Sequence, residues 1–176
     1  MKTLITGGVR SGKSFQAEAM MLSEPAVTYV APGPKADADL DPEWAARVRD
    51  HQRRRPVHWR TVETRDLPAA LGQATGAVLV DCLGTWLTAL LDELDGWQRT
   101  HEEVQAALDS RIQAATDALG ACRQHVVLVT NEVGMGVVPD YFSGRMFRDF
   151  LGIVNRRIAA ECDEVLLVVA GRTLSL

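Results

Sequence analysis

The stretch Lys2-Thr3-Leu4-Ile5-Thr6-Gly7-Gly8-Val9-Arg10-Ser11-Gly12-Lys13-Ser14 runs from a short apolar segment straight into the pattern G-x-x-x-x-G-K-[ST]. The apolar run reads as a buried strand, and Phe15 to Leu22 continues as a helix. Between them, successive backbone N–H groups of a Gly-rich turn point into one concavity that suits phosphate, Lys13 reaches the β and γ phosphates, and the Ser14 hydroxyl is placed for Mg²⁺. Glycine is needed wherever a Cβ would block the phosphate or force a strained φ. The helix N-terminus adds its dipole to the same anion site. A Gly-rich turn that binds nothing is the competing reading.

Working outward, apolar β-rich runs recur at 27–31, 77–81, 125–130 and 164–170, and segments of helical period separate most of them. That alternation is the mark of βαβ units, so an α/β class with a mostly parallel sheet flanked by helices is expected. Val126-Val127-Leu128-Val129 and Val165 to Val169 are apolar without alternation, as in strands covered on both faces. Phe147, Phe150, Leu151, Val154, Ile158 and Ala159 form the stripe of an amphipathic helix, and a second helix covers 101–119. The Leu-rich segment 84–94 is helical too, packed either inside or on a partner. Trp44, Trp59, Trp86 and Trp97 are expected as core or interface anchors. No linker or repeat divides the 176 residues, so one nucleotide-binding domain spanning 1–176 is expected.

Composition narrows the function. With 47% apolar and 24% charged residues and a net charge of −4, general nucleic-acid binding is disfavoured. Cys82, Cys122 and Cys162 are far apart and odd in number, which indicates neither a disulfide framework nor a C-x-x-C metal site and fits a reducing cytoplasm. No apolar run approaches the roughly 20 residues that span a bilayer.

A carboxylate at the end of an apolar strand completes the Mg²⁺ site beside such a glycine turn, and Ala77-Val78-Leu79-Val80-Asp81 ends that way. Asp81 is the first choice, with Glu132, after the run 126–131, as its rival. Residues 47–60 hold six of the sixteen arginines and one acid. The helix that begins near Asp41 should stop before Pro56, and within it Arg47, His51 and Arg54 or Arg55 share a face. Arginine forks match phosphate oxygens. A solvated charged face, a nucleic-acid patch and a merely hydrogen-bonding histidine remain alternatives. The sharper reading is chemical: a neutral imidazole can attack phosphorus, and flanking cations disfavour its protonation and stabilise a departing pyrophosphate. His51 has those surroundings; His58 has fewer, and His101 and His125 look structural.

Four segments together, Thr6 to Ser14, Arg47 to Glu63 with its His-x-x-x-Arg-Pro and Trp-Arg-Thr-x-Glu pieces, Asp81-Cys82-Leu83, and Val129 to Gly136, resemble the bifunctional adenosylcobinamide kinase and adenosylcobinamide-phosphate guanylyltransferase family of cobalamin biosynthesis. The resemblance covers nearly the whole chain in the family's order. It implies a RecA-like P-loop NTPase fold and a homotrimer with sites near subunit boundaries. It implies two reactions: phosphorylation of the aminopropanol hydroxyl of adenosylcobinamide by ATP or GTP, then transfer of GMP from GTP through a histidine, giving adenosylcobinamide-GDP and pyrophosphate.

By motif position that histidine is similar to His51, with Lys13 as its catalytic companion on the phosphates. The implied nucleotide contacts are Gly7, Gly8, Val9, Arg10, Ser11, Gly12, Lys13 and Ser14, then Ala31, Pro32 and Gly33, then Gln52, Arg53, Arg54 and Arg55, with Glu63 and Asp81. Ser14 and Asp81 are the implied Mg²⁺ ligands. Pro32 stands where the family usually has threonine, and Asp50 puts an acid next to His51. The segment 134–139 is a candidate rim for the corrinoid. A P-loop ATPase, GTPase or small-molecule kinase without guanylyl transfer is the alternative.

Overall fold

The computed structural model describes residues 1–34, 39 and 41–176, with the side chains of Trp44 and Arg47 outside that description. The readings that rest on those two side chains, the Trp44 anchor and the place of Arg47 on the arginine face, therefore lie outside the described residues.

Strands β1 (Lys2–Gly7), β2 (Val27–Ala31), β3 (Arg60–Glu63), β4 (Ala77–Asp81), β5 (Val126–Val129), β6 (Glu164–Val169) and β7 (Arg172–Ser175) form a seven-stranded sheet in the order β3-β2-β4-β5-β1-β6-β7. Every pairing is parallel except β6 with β7. Helices α1 (Lys13–Met21), α2 (Pro42–Arg54), α3 (Leu67–Gly72), α4 (Leu83–Glu93), α5 (His101–Ala121) and α6 (Phe142–Ala159) connect them. The central strands are covered on both faces: Leu4, Val78, Val80, Val126 and Leu128 pack with residues of α3, α4, α5 and α6. Ile5, Tyr29, Leu79, Val127 and Val129 pack with Ala17 and Met21 of α1 and with Trp59. This two-sided burial is why their sequences lack polar alternation.

Local chemistry sets the helix ends. Thr100 and Glu103 make a reciprocal capping box at α5, and Asp66 accepts the Ala69 N–H at 2.9 Å to start α3. Helix α2 ends at Arg54, ahead of Pro56, as the restriction on the residue before proline requires. The Leu-rich α4 is internal, with Leu83, Trp86, Leu87, Leu90 and Leu91 all buried. Trp59 and Trp86 are core residues, while Trp97 packs on the core and donates its indole N–H to Asp92 at 2.6 Å. Two short exposed strands, β3 and β7, flank the sheet. Parallel order brings the C-terminal ends of β1, β2, β4 and β5 to one edge, where open α/β sheets hold ligands.

Candidate active site

Gly7 closes β1 and begins the phosphate-loop turn. A Cβ there would lie 2.5 Å from the Val168 carbonyl oxygen and 2.7 Å from Ser11 Oγ, so only glycine lets the turn leave the sheet beside β6. Gly12, at φ +99°, occupies the left-handed region immediately before α1. Helix α1 has no side-chain cap, which leaves its first N–H groups to an anion. The Ser11 hydroxyl is buried with no partner among the described residues. Lys13 is 8% exposed and its ammonium donates to the Gly8 carbonyl at 3.0 Å.

Beside this turn the end of β4 supplies Asp81, whose Oδ2 accepts the Tyr29 hydroxyl at 2.9 Å and faces His51 Nδ1 at 3.5 Å. The Ser14 side chain lies close enough to the same carboxylate to favour its charged form. Burial pushes the Asp81 carboxyl up, but hydrogen bonds from His51, Tyr29 and Ser14 together with the charge of His51 outweigh it, and its pKa ends below the usual 3.8. Asp81 is therefore a carboxylate at neutral pH. The Asp81–Cys82 peptide that follows is cis. Glu132, the rival, is turned to its own loop: its backbone N–H reaches the Gly7 carbonyl at 3.0 Å and its carboxylate accepts from the Gly134 N–H.

The last turn of α2 lies over this point. His51 is a third exposed, at 32% of its side chain. Arg54 grips Glu18 of α1, and the Arg55 guanidinium carbon stands 3.4 Å above the Tyr29 ring while its NH1 donates to Thr61 at 3.2 Å. A cleft of about 650 Å³ results. Val9 to Ser14, Ala31, Gly33, His51, Arg54, Arg55, Glu63 and Asp81 line it. Gly7 and Pro32 are buried outside its lining, and Gly8 takes part through its carbonyl. Gln52 and Arg53 are exposed on α2 and do not line it; Arg53 faces Asp50 at 3.7 Å. Asp50 itself borders the cleft.

Sequence reasoning passed over Tyr29, Phe15 and Asn131, which also line the cleft, and Glu18, which holds Arg54. Tyr29 had a usable signal, since strand alternation puts it on the same face of β2 as Ala31. The other histidines have partners away from this cleft: His125 meets Glu24 at 2.7 Å, and His101 stacks on Phe150 with centroids 4.4 Å apart. The three cysteines are free thiols.

A hydroxyl and a carboxylate side by side are hard oxygen donors of the kind Mg²⁺ takes when it arrives with phosphates. Among the described residues no cluster of three or more His, Cys, Asp or Glu side chains could hold a metal by itself. No helix among them is long and apolar enough to cross a membrane.

Comparison with known proteins agrees with this geometry. The family model described as cobinamide kinase / cobinamide phosphate guanyltransferase matches residues 3–176. The chain is 44% identical over 179 residues to the bifunctional adenosylcobalamin biosynthesis protein CobU of Salmonella typhimurium, with 97% of each chain covered. It is 41% identical over 181 residues to the protein of that name from Escherichia coli, again with 97% of each covered. CobP of Pseudomonas aeruginosa is 38% identical over 184 residues, covering all of this chain and 97% of that one. In fold the chain is similar to an ATPase of the type III secretion system, with a TM-score of 0.56 at 10% identity, over 99% of this chain and 56% of that one. The chain belongs to the cobinamide kinase / cobinamide phosphate guanyltransferase family and has the fold of the P-loop NTPases.

Proposed function

We propose that the single cleft, in one domain spanning 1–176, runs two transfers in succession. A nucleoside triphosphate, ATP or GTP, first phosphorylates the aminopropanol hydroxyl of adenosylcobinamide; GTP then gives GMP through His51 to that new phosphate. The observation that carries this reading is the imidazole of His51 facing the Asp81 carboxylate over a phosphate-binding turn.

In the kinase step the turn's amides and Lys13 hold the β and γ phosphates, and Ser14 with Asp81 would hold Mg²⁺. The ion, when bound, offsets negative charge on the phosphates and orients them. Lys13 is nearly buried, so its charge acts with little screening by water.

In the guanylyl step His51 presents Nδ1 to Asp81, leaving the Nε2 lone pair for the α-phosphorus. The N–P bond forms as the bond from that phosphorus to the bridging oxygen breaks, and pyrophosphate leaves with the electron pair. The turn amides, Lys13, Arg54 and Arg55 stabilise its charge. An oxygen of the corrinoid phosphate then attacks, the N–P bond breaks, and the electron pair returns to the ring. Adenosylcobinamide-GDP is the product. Gly33, Glu63 and the arginines line the same cleft and are assigned to the nucleotide. A homotrimer in a reducing cytoplasm completes the proposal, supported by family membership and by the free thiols.

Incubation with GTP labelled at the α phosphate is expected to give an acid-labile, base-stable protein adduct that His51→Ala abolishes. Absence of the adduct in the unaltered protein under turnover conditions overturns the two-step guanylyl mechanism.

A further inference from the structure

Tyr29 is 1% exposed and touches two parts of the site at once. It lies in β2 across from Leu79, two residues before Asp81 on the neighbouring strand. Its hydroxyl donates to Asp81 Oδ2 at 2.9 Å, and that same oxygen faces His51 Nδ1. Its ring is the platform under the Arg55 guanidinium, 3.4 Å away. Arg55 Nε is buried and has no partner among the described residues, so the ring face and Thr61 are what the structure gives that side chain to rest on. Two side chains of the same stretch, 51 and 55, are thus seated through one phenol.

We propose that Tyr29 is a positioning residue for guanylyl transfer, its hydroxyl fixing the Asp81 carboxylate against His51 while its ring seats the Arg55 guanidinium. The inference rests on the reading of His51 as the guanylyl carrier. A carboxylate on a one-carbon stem rotates unless its oxygens are held, and a rotated Asp81 no longer faces Nδ1. The phenol is buried beside the carboxylate and its hydroxyl can only donate to an oxygen that carries no proton. The cation over an aromatic face is attracted to the ring quadrupole, which orients the guanidinium without using up its N–H donors. The outward N–H groups not taken by Thr61 stay available to the leaving pyrophosphate. In the kinase step His51 takes no part, so the phenol's hold on the Asp81 oxygen that faces Nδ1 bears chiefly on guanylyl transfer.

Two variants separate the halves of the role. Tyr29→Phe keeps the ring and deletes the hydroxyl; Tyr29→Leu deletes both. With α-labelled GTP in single turnover, Tyr29→Phe is expected to slow adduct formation about tenfold at saturating GTP. Its KM for GTP stays near that of the unaltered protein, its thermal midpoint falls by only a few degrees with the lost hydrogen bond, and its kinase rate stays within about threefold. Tyr29→Leu is expected to raise the KM for GTP as well. Full adduct rate in Tyr29→Phe, equal loss of both reactions, or a rise in KM with no change in rate overturns the inference. The Phe variant decides the hydroxyl's role even where the Leu variant fails to fold. Adduct in the unaltered protein with full rate in Tyr29→Phe overturns this inference alone, whereas no adduct in the unaltered protein overturns the carrier reading and this one with it.

Discussion

Arg54 of α2 holds Glu18 of α1 with both Nε and NH2, each 3.2 Å from a carboxylate oxygen. The Glu18 side chain is 9% exposed and the Arg54 side chain 43%. A planar fork meeting a carboxylate in this way is the geometry that guanidinium also offers phosphate. Glu18 thus occupies the group that the proposed pyrophosphate would need, and the two compete for it.

That competition predicts opposite effects from one substitution. Glu18→Gln keeps an acceptor but loses the charge, so the helix contact weakens by about 1 kcal/mol after allowance for the exposed side of Arg54. Arg54 is released at the same time, and the KM for GTP in guanylyl transfer is expected to fall a few-fold. Urea titration and initial rates measure the two. A KM that rises would show that Glu18 holds Arg54 in its working position instead.

In the proposed mechanism Lys13 serves both reactions, so Lys13→Ala is expected to lower kinase and guanylyl rates together, by about a hundredfold or more. The family resemblance counts Arg53 with Arg54 among the nucleotide contacts, yet its side chain is 78% exposed and outside the cleft lining. Arg53→Ala is therefore expected to change the guanylyl rate by less than about threefold, and Arg54→Ala by considerably more. Equal losses would place both arginines on the nucleotide.

Replacing Gly7 by alanine drives a methyl into the Val168 carbonyl at 2.5 Å, whereas a Cβ at Gly8 meets nothing within 4 Å. The first change should cost about 2 kcal/mol of stability through overpacking against backbone, and the second should leave stability nearly unaltered. Chemical denaturation compares them directly. Similar unfolding midpoints for the two would mean that β1 and β6 can separate at little cost.

Asp81 gives a pH prediction. Its folded pKa is below the usual 3.8, so its contribution to stability is complete above that value. The contribution is lost as pH falls through the lower folded value. Thermal midpoints of the unaltered protein and Asp81→Asn should differ most near neutrality and converge as the pH drops below 3.8. A gap that stays constant down to acid would show that ionisation of the carboxylate adds nothing to the fold.

The sequence revealed the glycine turn, the central strands and the arginine helix because each carries a local signal: Gly spacing, unbroken apolar runs, or a charge cluster ended by proline. Four-residue β7 is fully exposed and reads as ordinary polar chain, and six-residue α3 is too short for a period. The arrangement around Asp81 was legible only in part. Asp81 stood out at the end of an apolar strand, but the Tyr29 contact depends on β2 lying next to β4, and the hold of Glu18 on Arg54 depends on how α1 and α2 cross. Neither relation has a spacing in the chain, since residues 36 positions apart meet only through the fold.

The turn between β6 and β7 is fastened to the glycine turn from behind. The Gly171 amide donates to the Ser11 carbonyl at 2.8 Å, and its own carbonyl accepts Gln16 Nε2 at 3.0 Å. Gly171 lines no part of the cleft. Its amide resonance is consequently a remote spectroscopic reporter, one that registers any tightening of the main chain of the glycine turn from outside the cleft lining.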